Sequence, residues 1–266
     1  MTKILFGGLF IYVSVLGILW LMRMSLIYPL DPVHVTPDNG RLPDITERTL
    51  RTGDGNDLVI WTAPARAGEP TVLYFPGNAG NLGNRTERFR RFRLLGVGLV
   101  AMAYRGSNGS TGKASEEAVS ADARLLRDQM FELMGSAKNG AVIYYGESLG
   151  SAVAVKLART HAPDGLILEA PFTSVPDVAA ATFPIFPTRL ILDEHWDTDE
   201  HIRSLSAPLL VIHGTDDDVV PYAQGQAVFE AAGAVQKLFE SVEGGTHNNL
   251  WTADVQKTIV GFLDQF

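Results

Sequence analysis

The chain has 266 residues, of which 46% are hydrophobic and 20% charged, and this favours one globular domain with a full hydrophobic core. Its 30 acidic residues outnumber the 22 basic ones and give a net charge of -8, which argues against a nucleic-acid-binding surface. Because the chain has no cysteine, disulfides, a thiolate nucleophile and cysteine-ligated metals are excluded.

The chain begins with an apolar stretch, residues 4–22, that carries no charge and is flanked by Lys3 and Arg23. A helix of this length crosses the hydrocarbon core of a bilayer. A cleaved signal peptide would have a shorter apolar region and small residues before its cleavage site, whereas WLMRMSLIYP follows here. A buried N-terminal helix would keep a polar stripe at helical spacing, and the stretch has none. We therefore predict an uncleaved single-pass membrane anchor within residues 1–25, with either orientation open.

After a proline-rich connector, short apolar runs alternate with segments of helical character over residues 26–266. Such alternation predicts an α/β domain with a mostly parallel sheet covered on both faces, and a ligand site beyond the carboxyl ends of the strands. The predicted strands are Leu58–Trp61, Thr71–Phe75, Gly98–Tyr104, Ala141–Tyr145, Gly165–Leu168, Leu209–Ile212 and Lys237–Val242. The predicted helices are Arg85–Leu95, Ser115–Met134, Ser151–Thr160, Ala223–Ala232 and Ala253–Phe266.

The segment AVIYYGESLGSAVAVKLA, residues 141–158, places Ser148 between a predicted strand and a predicted helix, with Gly146 and Gly150 two positions away. In a sharp strand-to-helix turn these two positions come too close for side chains, and glycine relieves the crowding. The G-x-S-x-G spacing is that of a nucleophile elbow, which projects the serine hydroxyl above the sheet and aims the N–H of Leu149 at the same space. The alternative is a tight turn whose serine only caps the helix.

A serine nucleophile needs a base to accept its proton and an acid to orient that base, and in this architecture they follow it in the order acid, then histidine. Asp216, Asp217 and Asp218 follow one predicted strand, and His247 follows the next and is the only histidine beyond them. A solvated acidic turn and an exposed loop histidine are the alternatives. His213, at the end of the earlier strand, is expected to support the acidic loop rather than to catalyse.

An oxyanion hole needs a second backbone N–H from the loop after an earlier strand. The segment LYFPGNAGN, residues 73–81, fits this position, because Gly77 and Gly80 allow the backbone to approach a substrate and Asn78 offers its N–H. The alternative is an ordinary Gly-Asn turn.

Together these motifs resemble the serine hydrolases of the α/β-hydrolase fold, and within them the membrane-anchored group that includes the α/β-hydrolase domain-containing protein 13-like and Bem46-like proteins. The resemblance rests on LIYP, PGNAGN, YRGSNGSTGKASEEAVSADA, GESLGSAVAVKLA, EAPFTSVPDVA, PLLVIHGTDDDVVP and GGTHNNLW, which together span residues 26–251. It implies that Asp217 is the acid. The family usually has His-Gly-Asn at the oxyanion loop, where this chain has Pro76-Gly77-Asn78; proline has no N–H to donate, but Asn78 keeps its own.

Two further stretches carry chemistry-bearing residues. Residues 105–113, RGSNGSTGK, lack the spacing of a phosphate-binding P-loop. Residues 193–201, DEHWDTDEH, have the residue types of a metal site, but we expect the solvated face of a short cap near residues 176–200. The insertion at residues 182–196 is expected to overhang the serine as an acyl-binding wall, with a plain core segment as the alternative. Its apolar residues are expected to turn inward: Phe183, Ile185, Phe186, Leu190 and Ile191.

We therefore expect a membrane-tethered serine hydrolase that cleaves a carboxylic ester or thioester, with a small-molecule or lipid-like acyl substrate, no nucleic-acid partner, and neither cofactor nor metal. The expected triad is Ser148, His247 and Asp217, with Leu149 and Asn78 as oxyanion donors. A serine peptidase of the same fold and a non-catalytic binding scaffold remain alternatives. The sequence does not indicate the oligomeric state.

Overall fold

The computed structural model describes residues 2–136 and 140–266. Its strands are β1 (Thr46–Arg51), β2 (Asp57–Ala63), β3 (Thr71–Phe75), β4 (Gly98–Met102), β5 (Val142–Glu147), β6 (Gly165–Glu169), β7 (Leu209–Gly214) and β8 (Lys237–Val242). Its α-helices are α1 (Thr2–Ile27), α2 (Thr86–Leu95), α3 (Glu116–Met134), α4 (Leu149–Ala158), α5 (Val175–Thr182), α6 (Thr188–Ile191), α7 (Thr198–Ile202), α8 (Tyr222–Ala231) and α9 (Ala253–Leu263). A 3-10 helix, Leu82–Arg85, precedes α2.

The strands form one sheet in the order β1-β2-β4-β3-β5-β6-β7-β8. The sheet is parallel from β4 to β8, and β1 and β2 run antiparallel at one end. Successive side chains of a strand point to opposite faces, so Leu73 and Phe75 of β3 pack into one hydrophobic cluster while Val72 and Tyr74 pack into the other. The predicted mostly parallel sheet with two covered faces is confirmed.

Strand β1 is the one element of the sheet that the apolar pattern does not predict. Its sequence, TERTLR, has a single buried apolar side chain, Leu50. The strand forms because it pairs along its full length with β2, from Thr46 opposite Thr62 to Arg51 opposite Asp57. Polar and charged side chains suit an edge strand, since one side of it faces solvent.

The insertion between β6 and β7 folds into α5, α6 and α7, and we refer to residues 175–202 as the cap. The expectation of a solvated acidic face with inward apolar residues was wrong in part. Glu194 and Trp196 are buried, while Ile185 and Leu190 are 71% and 86% exposed. Glu194 is buried because the Tyr28 hydroxyl and the Glu116 N–H both donate to its carboxylate. Among the described residues, no group of three or more His, Asp or Glu side chains could hold a metal ion.

Helix α1 contains a segment, Phe6–Ile27, with a mean hydropathy of 1.9 and none of it buried. By length and composition this segment could cross a membrane. The helix continues past residue 25, and Tyr28 directly after it joins the buried core. The division into an anchor over residues 1–25 and a hydrolase domain over residues 26–266 stays a prediction.

Candidate active site

Ser148 occupies the turn between β5 and α4 with φ 51° and ψ -113°, a conformation that is strained for a residue with a side chain. The flanking glycines make the turn possible. A Cβ on Gly146 would lie 2.3 Å from the Gly150 carbonyl oxygen, and a Cβ on Gly150 would lie 1.9 Å from that of Phe75. Both positions therefore have no room for a side chain, as the nucleophile-elbow spacing predicts.

The structure brings together the three residues that the sequence predicts as a triad. The Ser148 Oγ atom lies 3.0 Å from Nε2 of His247. The other ring nitrogen of His247, Nδ1, lies 2.8 Å from Oδ2 of Asp217. These residues come from the ends of β5, β7 and β8, because the carboxyl ends of parallel strands meet at one edge of the sheet.

The neighbours of Asp217 explain why this aspartate of the three faces the histidine. Its Oδ1 atom accepts the backbone N–H groups of Val219 and Val220 at 2.9 and 2.8 Å, which turns the carboxylate inward, whereas Asp216 and Asp218 are exposed. Burial opposes ionisation of Asp217, but hydrogen bonds from two histidines outweigh it and hold the pKa of Asp217 well below its usual range. Asp217 is therefore a carboxylate at neutral pH.

The two expected oxyanion donors both line a cavity beside Ser148. Leu149 is the first residue of α4, where backbone N–H groups have no acceptor within the helix. Asn78 lies on the loop after β3, and its side-chain Nδ2 donates to the Ile27 carbonyl at 2.7 Å. Pro76, two residues before Asn78, is also fixed by a hydrogen bond, since the Tyr104 hydroxyl donates to the Pro76 carbonyl at 2.7 Å.

Arg85 links the Asn78 loop to the nucleophile turn, and the sequence analysis did not identify it. Its Nη1 donates to the Ala79 carbonyl at 2.8 Å, and its Nη2 donates to Oε1 of Glu147 at 2.8 Å. Burial opposes ionisation of Glu147, but the charges of Arg85 and Arg88 lower the pKa of Glu147 to about 2. The one available signal was the position of Glu147 inside G-x-S-x-G, next to Ser148.

A second buried ion pair, Arg88 with Glu169, lies next to the contact between Arg85 and Glu147. Arg88 of α2 donates to both carboxylate oxygens of Glu169, at 2.8 and 2.9 Å, and to the hydroxyls of Tyr74 and Tyr145, each at 3.1 Å. These hydrogen bonds satisfy a charge that would be costly to bury alone. The pair joins α2 to three neighbouring strands of the sheet beside the elbow.

Two cavities meet at Ser148. One has a volume of about 300 Å³ and lies among the cap, α1 and the elbow, with mostly apolar side chains around it. The other has a volume of about 510 Å³, lies on the His247 side and is bordered by polar groups. The polar cleft includes Asn78, Asn84, Arg85, Glu147, His247 and Asn248. A substrate with an apolar part and a polar part could therefore place the junction of the two at Ser148.

The chain matches known proteins over most of its length. It is 35% identical over 238 residues to an uncharacterised protein of Mycobacterium tuberculosis, covering 89% of this chain and 84% of that protein. It is 30% identical over 253 residues to the protein Bem46 of Schizosaccharomyces pombe, covering 90% of this chain and 84% of Bem46. The family model described as serine aminopeptidase, S33, matches residues 189–252.

Solved structures of low sequence identity share the fold. An esterase of Pyrococcus furiosus superimposes with a TM-score of 0.70 at 14% identity, covering 89% of this chain and 97% of the esterase. Est1E of Butyrivibrio proteoclasticus, solved with ferulic acid, gives a TM-score of 0.68 at 15% identity and covers 82% of this chain and 98% of Est1E. With these folds and the match to Bem46 over 90% of this chain, the chain belongs to the α/β-hydrolases, in the Bem46-like group, and is a hydrolase by family.

Proposed function

We propose that the protein is a membrane-tethered serine hydrolase that cleaves the carboxylic ester or thioester of a lipid-like acyl group. The observation that supports this most directly is the continuous chain of contacts from Ser148 Oγ through His247 to Asp217, at 3.0 and 2.8 Å. Its order and geometry are those of a nucleophile, a base and an orienting acid.

In the proposed reaction, Ser148 Oγ attacks the carbonyl carbon as His247 Nε2 accepts the hydroxyl proton. The negative charge that develops on the carbonyl oxygen is stabilised by the N–H groups of Leu149 and Asn78. His247 then gives its proton to the leaving alcohol or thiol, and water releases the acyl group from Ser148 by the same steps. Asp217 remains ionised throughout and stabilises the imidazolium form of His247.

The cavities favour an ester of a lipid-like acyl group over a peptide. An apolar cavity of about 300 Å³ beside Ser148 suits a hydrocarbon chain, because burial of each methylene contributes about 0.8 kcal/mol. The polar cleft on the His247 side suits the leaving group, which must lie where His247 can protonate it. The membrane segment proposed for α1 would hold this site where lipid acyl groups are concentrated.

The experiment that tests this function combines active-site labelling with an ester panel. A fluorophosphonate should label the wild-type protein, and Ser148→Ala should lose both the label and ester hydrolysis while keeping its circular dichroism spectrum. Glu132→Gln, at an exposed position on α3, is the matched control and should label normally. Wild-type labelling of Ser148→Ala would contradict the nucleophile, and a folded wild-type protein that never labels would favour a non-catalytic scaffold.

A further inference from the structure

One wall of the apolar cavity beside Ser148 is made by the N-terminal helix. The α1 residues that line the cavity are Leu19, Trp20, Arg23, Leu26 and Ile27. They follow the spacing of a single helical face. Leu21, between them in sequence, points away and is 72% exposed. The last turns of α1 therefore present one defined face to the cavity.

The facing wall is the cap. Its lining side chains include Val175, Val178 and Ala179 of α5, together with Phe183 and Phe186. Ser148 and Leu149 border the same cavity. A chain bound in this space would touch the nucleophile turn at one end, the cap along one side and α1 along the other.

Specific contacts hold α1 against the cap over several turns. The Tyr12 hydroxyl donates to the Ile185 carbonyl at 3.0 Å, and the Tyr12 ring stacks on Phe186 with centroids 5.1 Å apart. Further along the helix, the Arg23 guanidinium donates two hydrogen bonds of 2.9 Å to Asp193. About 16 Å of helix separates these two levels, so the contact is a long interface and not a single point.

The end of α1 is also joined to the oxyanion loop. Ile27 is the last residue of α1, and its carbonyl receives no hydrogen bond from within the helix. The Asn78 side chain donates to this carbonyl at 2.7 Å instead. Tyr28 follows directly, donates to Glu194 of the cap and accepts from Trp196 Nε1 at 3.0 Å. The helix end, the cap and the loop that carries Asn78 are thus one connected unit.

The outer surface of this unit carries exposed apolar side chains. On the cap, Ile185 and Leu190 are largely exposed, and on α1 the Phe10 and Leu21 side chains are exposed as well. Trp20 and Arg23 form a cation–π contact at 4.4 Å, and both residue types are common where a helix leaves the hydrocarbon core. If Trp20 and Arg23 mark the edge of the hydrocarbon core, Tyr12 and the cap residues beside it lie on the bilayer side of that edge.

Resting on the proposed hydrolase function, we infer that α1 is a substrate-binding element as well as a tether: the acyl chain lies between α1 and the cap, and it enters this space from the bilayer. The substrate class is therefore an ester or thioester of a membrane-resident lipid chain. The leaving group would project into the polar cleft, away from the helix.

The first test compares Leu19→Trp with Leu21→Trp in the full-length protein. Leu19 lines the cavity and Leu21 does not, so the same substitution places an indole inside the cavity in one variant and outside it in the other. We expect Leu19→Trp to lower the ratio of kcat/KM for p-nitrophenyl decanoate over butyrate by about tenfold or more, since two displaced methylenes suffice. Leu21→Trp should keep the wild-type ratio, and an equal ratio in both variants would overturn the inference.

If the indole of Leu19→Trp prevents folding, Leu19→Ala is a second variant, which enlarges the cavity instead of filling it. It should move the best substrate toward longer chains, and an unchanged chain-length profile would again overturn the inference. Fluorophosphonate labelling of each protein separates the two proposals. If the wild type labels but the Leu19 variants have the same chain-length profile as the wild type, only the role of α1 is contradicted. If the wild type neither labels nor hydrolyses esters, the hydrolase function is contradicted, and this inference with it.

A second test addresses entry from the bilayer. Leu190→Asp places a charge on the exposed apolar surface of the cap, and Val235→Asp places one at a 98% exposed apolar residue between α8 and β8. With the protein in phosphatidylcholine vesicles, we expect Leu190→Asp to reduce hydrolysis of a vesicle-dissolved long-chain ester about fivefold or more, because a charge near hydrocarbon is costly. Val235→Asp should match the wild type. Equal rates for both variants would overturn entry from the bilayer.

Discussion

The imidazole of His213 lies with Nε2 3.3 Å from Oδ2 of Asp217, and both side chains are fully buried. The same Nε2 atom lies 3.0 Å from the Val220 carbonyl, which can only accept, so Nε2 carries the proton. A Cβ on Gly225 would lie 2.1 Å from His213 Nδ1, so glycine makes room for the ring. His213 therefore contacts the same carboxylate oxygen of Asp217 as His247 does, and we expect it to act as a positioning residue.

We predict that His213→Ala lowers kcat about 10- to 100-fold with little change in KM, because the Asp217 carboxylate loses the hydrogen bond that His213 donates and His247 loses its fixed orientation. His213→Gln, which can restore an N–H donor, should recover part of kcat. Steady-state kinetics on one soluble ester measures both variants. A rise in KM at constant kcat would assign His213 to substrate binding instead.

Variants of the three consecutive aspartates, Asp216, Asp217 and Asp218, test which of them is the catalytic acid. Asp217→Asn should lower kcat by about 10⁴-fold, because the amide no longer stabilises the imidazolium or selects its tautomer. Asp216→Asn and Asp218→Asn, at exposed positions, should cost less than about threefold. If the Asp218 variant were the inactive one, the acid assignment would be wrong.

The elbow glycine Gly150 should be intolerant of a side chain. We expect Gly150→Ala to destabilise the protein by about 1–3 kcal/mol or more, because its Cβ would lie 1.9 Å from the Phe75 carbonyl oxygen. Gly261→Ala in α9 is the matched control, since a Cβ there meets nothing within 4 Å. It should stabilise the helix by about 0.5–1 kcal/mol. Denaturant unfolding of the two variants tests this, and equal shifts would refute the steric argument.

The Glu147 carboxylate should make stability depend on pH. Its pKa is lowered from 4.5 to about 2 in the folded protein, so its ionised form contributes stability above pH 4.5, and that contribution is lost as the pH falls from about 4.5 to about 2. Glu147→Gln should flatten this part of the curve of unfolding free energy against pH, and Glu132→Gln, at an exposed position on α3, is the control. The free energy of unfolding measured from pH 6 to 2 decides between them, and parallel curves for all three proteins would contradict the argument.

Helix α1 should keep the full-length protein in membranes through an alkaline carbonate wash, because a long apolar helix inserts stably. Deletion of residues 1–22 should release the protein, and it should also remove Leu19 and Trp20 from the wall opposite the cap, so the preference for long acyl chains should fall. Release of the full-length protein by carbonate would contradict the membrane span.

Much of the fold and of the candidate site follows from the sequence because it depends on local patterns. Short apolar runs that end in Gly, Pro or Asp predicted seven of the eight described strands, since their length and their turn residues need no distant partner to be recognised. The G-x-S-x-G spacing located Ser148, because a sharp turn has its own steric demands. The order of acid and histidine is that of the α/β-hydrolase architecture, and the family resemblance selected Asp217 among the three aspartates. The chemical roles of these residues stay predictions until their variants are measured.

The tertiary structure decided what depends on contacts between distant residues. Strand β1 forms through pairing with β2, so its own sequence carries little sign of it. Arg85, at the end of the 3-10 helix, and Glu147, at the end of β5, meet only in the folded chain, since they lie 62 positions apart in sequence. The packing of α1 against the cap, residues 12–28 against 183–196, makes α1 one wall of the cavity. The same packing leaves Ile185 and Leu190 pointing outward. A periodic pattern shows that a helix has an apolar face, but the free energy of burial does not depend on sequence position, and only the folded chain determines what that face covers.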